Sequence, residues 1–380
     1  MRSCIVIPAY QPEDILLSYV SKLLEANAGP VLVVDDGSRE SCRAIFDRLS
    51  GMENCTVLHH PVNRGKGAAL KTAIHWYRTH SGDYRDCCGI VTADCDGQHA
   101  VEDVLRLARA MEKHPDSLIL GCRDFGEDTP RRSAMGNRVT SFAMNLLYDI
   151  HLKDTQTGLR GLPNALLEGA EKLRGDRYEY ELNMLLWAKQ ASAPFVVLPI
   201  QTIYFNNNAG THYRAVADSM RILGQLLVGL VQYGVSSLVS ALADVVIYAL
   251  LVKWILAPTP LTQRLFFSAV IARILSSVVN YFLNRRLPYM RNKSPITIVK
   301  YYILWLFQLA ASFGFVWLFC TGLRFDELIA KLIVDILLAL FSYQIQLRWV
   351  FRIPKEKILA KVREDERQGG VKEDAQDAGI

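Results

Sequence analysis

The sequence predicts a two-part protein: an α/β domain built on a mostly parallel sheet, followed by an all-helical region of four membrane spans. Two observations carry that expectation. Over residues 1–225, short continuous apolar runs alternate with helix-period stretches, the pattern of a parallel sheet covered on both faces. From Leu226 to Phe351 the apolar fraction rises sharply, and four segments approach the roughly 20 residues that a helix needs to cross a bilayer. A chain of 380 residues suits two domains.

In chain order, Ile5-Val6-Ile7 reads as a strand. Residues 12–27 read as an amphipathic helix with Ile15, Leu16, Val20, Leu23 and Leu24 facing inward. Val31–Val34 and Val57-Leu58 read as the second and third strands, and residues 66–80 as a helix. A strand at 89–92, a helix at 101–114 and a strand at 118–120 continue the alternation, and an amphipathic segment covers 135–150. The opening run enters a strand at once and lacks the roughly 7–15 apolar residues of a secretory h-region.

The apolar segments fall at about 228–252, 266–283, 299–321 and 328–347. Between the second and third lie Arg285, Arg286, Arg291, Lys293 and Lys300; after the fourth come Arg348, Arg352, Lys355, Lys357, Lys361 and Arg363. The two opposite loops are short and less basic, so the positive-inside rule puts the N-terminal domain, the middle loop and the tail in the cytoplasm. The expected division is 1–225, 226–353 and a polar tail at 354–380. The spans also look duplicated: Asn280, Tyr281, Asn284 and Arg286 recur as Ser342, Tyr343, Gln346 and Arg348. Asp244, Arg273, Lys331 and Asp335 lie within spans, where Asp244 with Arg273 and Lys331 with Asp335 are candidate pairs.

A formal net charge of +5 gives nucleic-acid binding little support. The eight cysteines form no C-x-x-C pair, and Cys87-Cys88 are adjacent, so reduced thiols in a cytosolic domain are expected rather than disulfides or a zinc site.

Two acidic turns follow apolar strands: Asp35-Asp36-Gly37-Ser38 and Asp94-Cys95-Asp96-Gly97-Gln98. Parallel sheets bind ligands at the carboxyl ends of their strands, which places both turns on the binding edge. The spacing of Asp94 and Asp96 lets both reach one ion. Carboxylate and carboxamide oxygens, with Gln98 as a further donor, suit Mg2+ or Mn2+, which would neutralise a departing diphosphate. Asp35 and Asp36 read instead as acceptors for a base N–H or a ribose hydroxyl. In Asn63-Arg64-Gly65-Lys66-Gly67, the glycines let the backbone approach a ligand, and Lys66 or Arg64 can reach phosphate.

Ile5-Val-Ile-Pro8-Ala9-Tyr10, the Asp-Asp-Gly-Ser turn, Asn63-x-Gly-Lys-Gly and Asp94-x-Asp-Gly-Gln, in this order over about 1–220, resemble the GT-A, family 2 glycosyltransferases, in particular the polyprenyl-phosphate (dolichyl-phosphate) mannosyl- and glucosyltransferases. Asn280-Tyr-Phe-x-Asn-Arg and Arg348-Trp-Val-Phe resemble the GtrA-like four-helix domain often fused to them. The resemblance implies a GT-A, Rossmann-like catalytic domain. It further implies an inverting, metal-dependent transfer of a hexose from a UDP- or GDP-linked sugar to polyprenyl phosphate. It places Pro8, Tyr10, Glu13 and Asp36 around the nucleoside and Asp94, Asp96 and Gln98 at metal and diphosphate. Gly121-Cys122-Arg123 looks like the family's G-x-R element beside the sugar and acceptor phosphate. Arg131, Arg132 and Ser133 open the amphipathic segment, where a helix N-terminus and guanidinium groups favour phosphate. The apolar face of that segment suits the membrane interface or packing on the sheet. Asp154-Thr-Gln-Thr-Gly158-Leu-Arg160 resembles the D-x-x-x-G-x-R loop; its Asp and Arg shape the acceptor side or form an internal pair.

One departure lies at 206–214, where an R-x-x-G-x-S-K-like element is expected and Asn206-Asn-Asn-Ala-Gly-Thr-His212-Tyr-Arg214 stands; His212 or Arg214 is the candidate diphosphate contact. The expected catalytic residues are Asp96, Arg123 and Arg132. Asp35, Lys66 and His212 join the donor site, and Arg160 the acceptor site. The partners are a nucleotide-sugar, a polyprenyl phosphate and the membrane, with homo-oligomerisation left open. The alternatives are a carrier or scaffold for lipid-linked sugars and a transferase with another acceptor. A processive synthase is disfavoured because Ile345 stands where its Q-x-x-R-W element needs Gln.

Overall fold

The computed structural model describes residues 2–123, 131–201, 215–287, 290, 294–322 and 324–352, with the backbone alone at 131–134, 215–223, 327, 328, 331 and 332. Compactness divides the chain into residues 1–145 with 150–225, and residues 146–149 with 226–380.

Among the described residues the first unit holds seven strands: β1 (Arg2–Ala9), β2 (Val31–Asp35), β3 (Cys55–His59), β4 (Cys87–Thr92), β5 (Leu118–Arg123), β6 (Arg160–Pro163) and β7 (Phe195–Ile200). They form one sheet in the order β3-β2-β1-β4-β6-β5-β7. β1 pairs in parallel with β2 and β4, β2 with β3, and β5 with β7; β6 alone runs antiparallel, to β4 and β5. The continuous burial of β1, β2 and β4 explains their unbroken apolar runs. β6 (Arg-Gly-Leu-Pro) has no apolar run, although all four residues are buried. The helices of this unit are α1 (Ile15–Glu25), α2 (Arg43–Ser50), α3 (Lys66–Thr79), α4 (Val101–Lys113), α5 (Arg131–Tyr148), α6 (Asn164–Glu171) and α7 (Glu179–Ala191). Leu16, Val20 and Leu23 of α1 join Ile5, Ile7, Val31 and Val33 in one core, together with Val104 and Leu107 of α4.

The topology decides where the chemistry falls. β1 leads to β2 on one side, while β4 returns on its other side, opening a crevice between β1 and β4 at the carboxyl edge. Both acidic turns leave strands at that edge. Because β6 is antiparallel, the loop from Asp154 into β6 starts at the same edge, beside the end of β5.

The second unit contains α8 (Ala215–Leu250), α9 (Leu261–Arg285), α10 (Ile296–Gly322) and α11 (Glu327–Ile345); five-residue π-helical turns, Leu251–Ile255 and Gln346–Val350, extend α8 and α11. Gly224–Ile255, Leu261–Arg285, Ile296–Gly322 and Ile333–Val350 are long and apolar enough to cross a membrane. Large apolar side chains such as Leu242, Phe266, Phe313 and Leu337 point outward, as they do against lipid. The repeated residues noted in the sequence meet inside: Asn284 Nδ2 donates to Gln346 Oε1 at 2.9 Å, and Tyr281 and Tyr343 share one buried cluster. Arg273 approaches Asp244 only to 4.0 Å, while the Ser276 hydroxyl donates to Asp244 at 2.8 Å. Asp335 accepts from Ser312 at 3.4 Å; the Lys331 side chain lies outside the described residues.

Candidate active site

The first acidic turn is saturated from within. Asp36 is buried, and its carboxylate accepts from the backbone N–H of Arg64 (2.9 Å) and Gly65 (2.7 Å) and from His60 Nδ1 (2.7 Å). Thr72 holds the other His60 nitrogen at 2.9 Å. Asp35 accepts from the Ser38 backbone N–H at 2.9 Å and meets His59 Nδ1 at 3.0 Å. Together these bonds tie the end of β2 to the Asn63–Gly67 loop. The loop glycines serve a neighbouring segment: a Cβ on Gly65, whose φ is +103°, would lie 2.4 Å from the Asp176 carbonyl oxygen, and one on Gly67 2.5 Å from the Tyr180 Cβ.

The second acidic turn carries charge in a different state. Lys66 Nζ of α3 lies 2.6 Å from Asp94 Oδ1 and 2.9 Å from Glu181 Oε1 of α7, so one ammonium joins the two carboxylates. His99 Nε2 approaches Asp94 from the other side at 3.3 Å. Burial alone would raise the Asp94 carboxyl, but Lys66 and His99 outweigh it and hold the group well below the usual carboxylate range. Asp96 accepts the Gln98 backbone N–H at 3.0 Å. Burial and the charge of Asp94 push its carboxyl above the ordinary value. Gly158 makes room for this turn, because a Cβ there would fall 2.3 Å from Asp94 Oδ2. The Thr92 hydroxyl fixes that approach by donating to the Gly158 carbonyl at 2.7 Å.

A divalent cation fits this donor set. Asp96 is half-buried in the same turn as Asp94, and carboxylate oxygens are the hard donors that Mg2+ and Mn2+ prefer. Tyr19 of α1 adds a buried hydroxyl with no partner among the described residues; burial first, then the fields of Asp94 and Asp96, raise its pKa. Among the described residues no group of three or more His, Cys, Asp or Glu is arranged to hold a metal ion.

Two arginines frame the other side of the edge. Arg123, at the end of β5, donates from Nε (2.7 Å) and a terminal nitrogen (3.1 Å) to the two oxygens of buried Asp154, a fork that fixes the guanidinium plane. Its side chain keeps 17% exposure. Arg160 differs from the acceptor role that the resemblance implies. It is 1% exposed, and its guanidinium donates to the carbonyls of Thr157 (3.0 Å), Glu181 (2.5 Å) and Thr155 (3.3 Å). It is a strut under the loop, and Asp154 pairs with Arg123 instead.

Of the remaining expected residues, Pro8 is buried at the end of β1, Tyr10 is half-buried, Glu13 is exposed, and Gln98 sits half-buried beside Asp96. Arg131, Arg132 and Ser133 fall in the first turn of α5, and their side chains lie outside the described residues, as does His212. His60, His99, Glu181 and Tyr19 are partners that the sequence motifs do not mark. His59, the last residue of β3, and His60 directly after it are the one available signal, since the end of that strand also opens onto the binding edge. All eight cysteines are free.

A switch-point crevice flanked by an acidic pair and by oriented arginine defines an α/β enzyme of GT-A-like fold. Residues 4–168 match the family described as Glycosyl transferase family 2, and residues 232–351 that described as GtrA/DPMS, transmembrane domain. The chain carries a family 2 glycosyltransferase domain followed by a GtrA/DPMS transmembrane domain, and that second match together with four helices long and apolar enough to cross a membrane supports a multi-pass membrane protein. It is similar to the UDP-N-acetylglucosamine–dolichyl-phosphate N-acetylglucosaminyltransferase of Methanococcus voltae, with 28% identity over 53% of this chain and 85% of the relative. It is similar also to the polyprenol monophosphomannose synthase of Mycolicibacterium smegmatis, with 26% identity over 55% of this chain and 79% of the relative. Among solved structures it matches S. aureus TarS 1–349 in complex with UDP-GlcNAc at 15% identity and a TM-score of 0.40, over 60% of this chain and 66% of that one.

Proposed function

We propose that this enzyme transfers a hexose, with inversion, from a UDP- or GDP-linked sugar to polyprenyl phosphate, making a lipid-linked monosaccharide donor for cell-envelope glycan or protein glycosylation. The observation that carries the reading is the geometry of the carboxyl edge: the Asp94–Asp96 turn after β4, with Asp94 held by Lys66 at 2.6 Å, and at the end of β5 a guanidinium, Arg123, oriented by Asp154. Relatives named for dolichyl-phosphate and polyprenol-phosphate transfer, together with four candidate spans in this chain, support a lipid acceptor. They differ in sugar, so the donor is left as a class.

Asp94, Asp96 and Gln98 would hold Mg2+ or Mn2+, which when bound supplies neutralising charge for the departing nucleoside diphosphate. The rest of the chemistry falls to the chain. Lys66 and His99 hold the Asp94 carboxylate in place. Pro8, Tyr10, Glu13 and Asp35 border the nucleoside, while Asp36 acts through the loop that it clamps. Arg123, with Arg131, Arg132 and Ser133, binds and aims the acceptor phosphate. A phosphate oxygen attacks the anomeric carbon, a new C–O bond forms on one face, and the bond to the diphosphate breaks on the other. The phosphate is ionised near neutral pH, so no strong general base is needed; positioning and charge stabilisation carry the rate. In this reading residues 1–225 and the tail at 354–380 are cytoplasmic, and 226–353 anchor the enzyme.

The test is a donor screen. Membranes holding the protein receive polyprenyl phosphate, Mg2+ or Mn2+ and a panel of UDP- and GDP-sugars, and the organic phase is assayed for labelled lipid. One donor giving a metal-dependent, acid-labile sugar lipid is the expected result. Nucleotide binding without labelled lipid from any donor overturns the lipid acceptor.

A further inference from the structure

A cavity outside the crevice described above opens on α5, and none of the residues placed in the transfer lines it. It measures about 510 Å3, and among its lining residues are Asn137, Arg138, Ser141, Phe142, His151 and Lys153. None of the residues that line it is acidic. Its wall is built, not incidental. Asn137 is 2% exposed, donates to the Lys153 carbonyl at 2.6 Å and accepts the Thr155 backbone N–H at 3.0 Å. Ser141 adds a donation to the same carbonyl at 3.3 Å. These bonds pin the 151–155 segment against the helix and bring exposed Lys153 and His151 to the cavity that exposed Arg138 shares.

Beside the cations runs an uncovered apolar stripe. Met135, Val139 and Phe142 are 69%, 60% and 67% exposed, and their spacing places them on one face of α5. Arg138 borders that stripe, and Phe142 belongs to both stripe and cavity. An apolar face rimmed by cations is the composition of a helix lying in the bilayer interface, with its rings at the acyl boundary and its cations at headgroup level. The same chain supplies the membrane, since it carries four candidate spans.

We propose that this cavity binds the phosphate head group of an anionic membrane phospholipid while Met135, Val139 and Phe142 enter the acyl boundary beside it. The occupant is a bilayer lipid rather than the acceptor, whose phosphate belongs with Arg123 at the carboxyl edge of β5. The proposal rests on membrane attachment and not on the transfer reaction, so it stands or fails separately.

The experiment uses the full chain in nanodiscs of phosphatidylcholine, alone or with about one third phosphatidylglycerol, and reads amide hydrogen exchange over 135–153. In the wild type, phosphatidylglycerol slows exchange in this segment, because each cation near an anionic surface contributes about five-fold to binding. In R138A/K153A the difference between the two compositions disappears, while exchange in the β-strands and transfer in phosphatidylcholine stay at wild-type levels. Equal exchange in both compositions overturns the proposal, as does protection that survives the double substitution. A third arm adds inorganic phosphate to the phosphatidylcholine discs; protection equal to that from phosphatidylglycerol would make this a free-phosphate site and overturn the lipid reading.

Discussion

Asp35-Asp36 and Asp94-Cys95-Asp96 look alike in sequence: each is an acidic turn directly after a buried parallel strand. Folding gives them opposite tasks. Asp36 is satisfied by two backbone N–H groups and His60, so its charge is spent on shape. Asp96 is half-buried and accepts the Gln98 backbone N–H within its own turn at 3.0 Å, so its bonding ties no neighbouring segment in place. A buried carboxylate whose hydrogen bonds hold other segments is scaffold, and one that ties nothing else in place is left for chemistry. The same contrast separates the two arginines. Arg160 spends its donors on carbonyls, while Arg123 is oriented by one carboxylate and stays partly exposed.

The largest effect expected from this contrast is on catalysis. Asp96→Ala should lower transfer by about three orders of magnitude or more with the thermal midpoint little changed, since its hydrogen bond to the Gln98 N–H lies within its own turn. Retained activity in that variant, measured with the labelled-lipid assay, would remove Asp96 from the reaction. Asp36→Ala should do the reverse. It strands the buried Gly65 N–H, the part-buried Arg64 N–H and a histidine at roughly 1–3 kcal/mol each before relaxation, so a destabilisation of about 3–5 kcal/mol is expected. Denaturant unfolding checks it, and a stability loss below about 1 kcal/mol would break the distinction between the two turns.

Gly158→Ala sharpens the comparison from outside both turns. The added methyl would meet Asp94 Oδ2 at 2.3 Å, and the carboxylate must move away from Lys66 or the loop must retreat. Transfer should fall about ten- to a hundred-fold, as misplacement of a positioned group does, while Gly136→Ala, whose Cβ meets nothing within 4 Å, should leave it unchanged. Equal activities for the two variants would show that the position of Asp94 does not matter.

Much of this organisation is legible in the sequence because parallel strands buried on both faces must be apolar throughout. β1, β2, β4 and β5 announce themselves, and the polar turns after them mark the binding edge. β6 and α7 are not announced. β6 is four residues containing Arg, Gly and Pro, and its burial comes from neighbours on both sides rather than from its own composition. Glu181 reaches Lys66 only because the glycines at 65 and 67 let the start of α7 approach, a contact between segments more than 100 residues apart in the chain. The D-x-x-x-G-x-R motif was readable as a loop, but not the division of labour within it: Asp154 to Arg123, Gly158 to Asp94, Arg160 to the backbone.

The span region repeats the lesson with a smaller energy at stake. Sequence draws the eye to Asp244 and Arg273, since charge in a bilayer is costly. Yet Arg273 is 66% exposed and 4.0 Å from its partner, whereas Asn284 and Gln346 are buried and join through their carboxamides. Around them Ser236 donates to Asn284, Gln346 donates to Tyr233 at 3.1 Å and to Ser342 at 3.0 Å, and Tyr301 donates to Asn280 at 2.9 Å. Polar contacts between membrane helices average about 0.6 kcal/mol, with a ceiling near 1.7. A double-mutant cycle with Asn284→Ala and Gln346→Ala should therefore give a coupling of about 0.6–1.7 kcal/mol, read from steric-trap or denaturant unfolding in bilayers. The corresponding cycle on Asp244 and Arg273 should give less, because the guanidinium is outward and Ser276 already satisfies the carboxylate. A larger coupling for the charged pair would reverse the ranking and make ion pairing, rather than the carboxamide ladder built from the repeated residues, the main polar link between these helices.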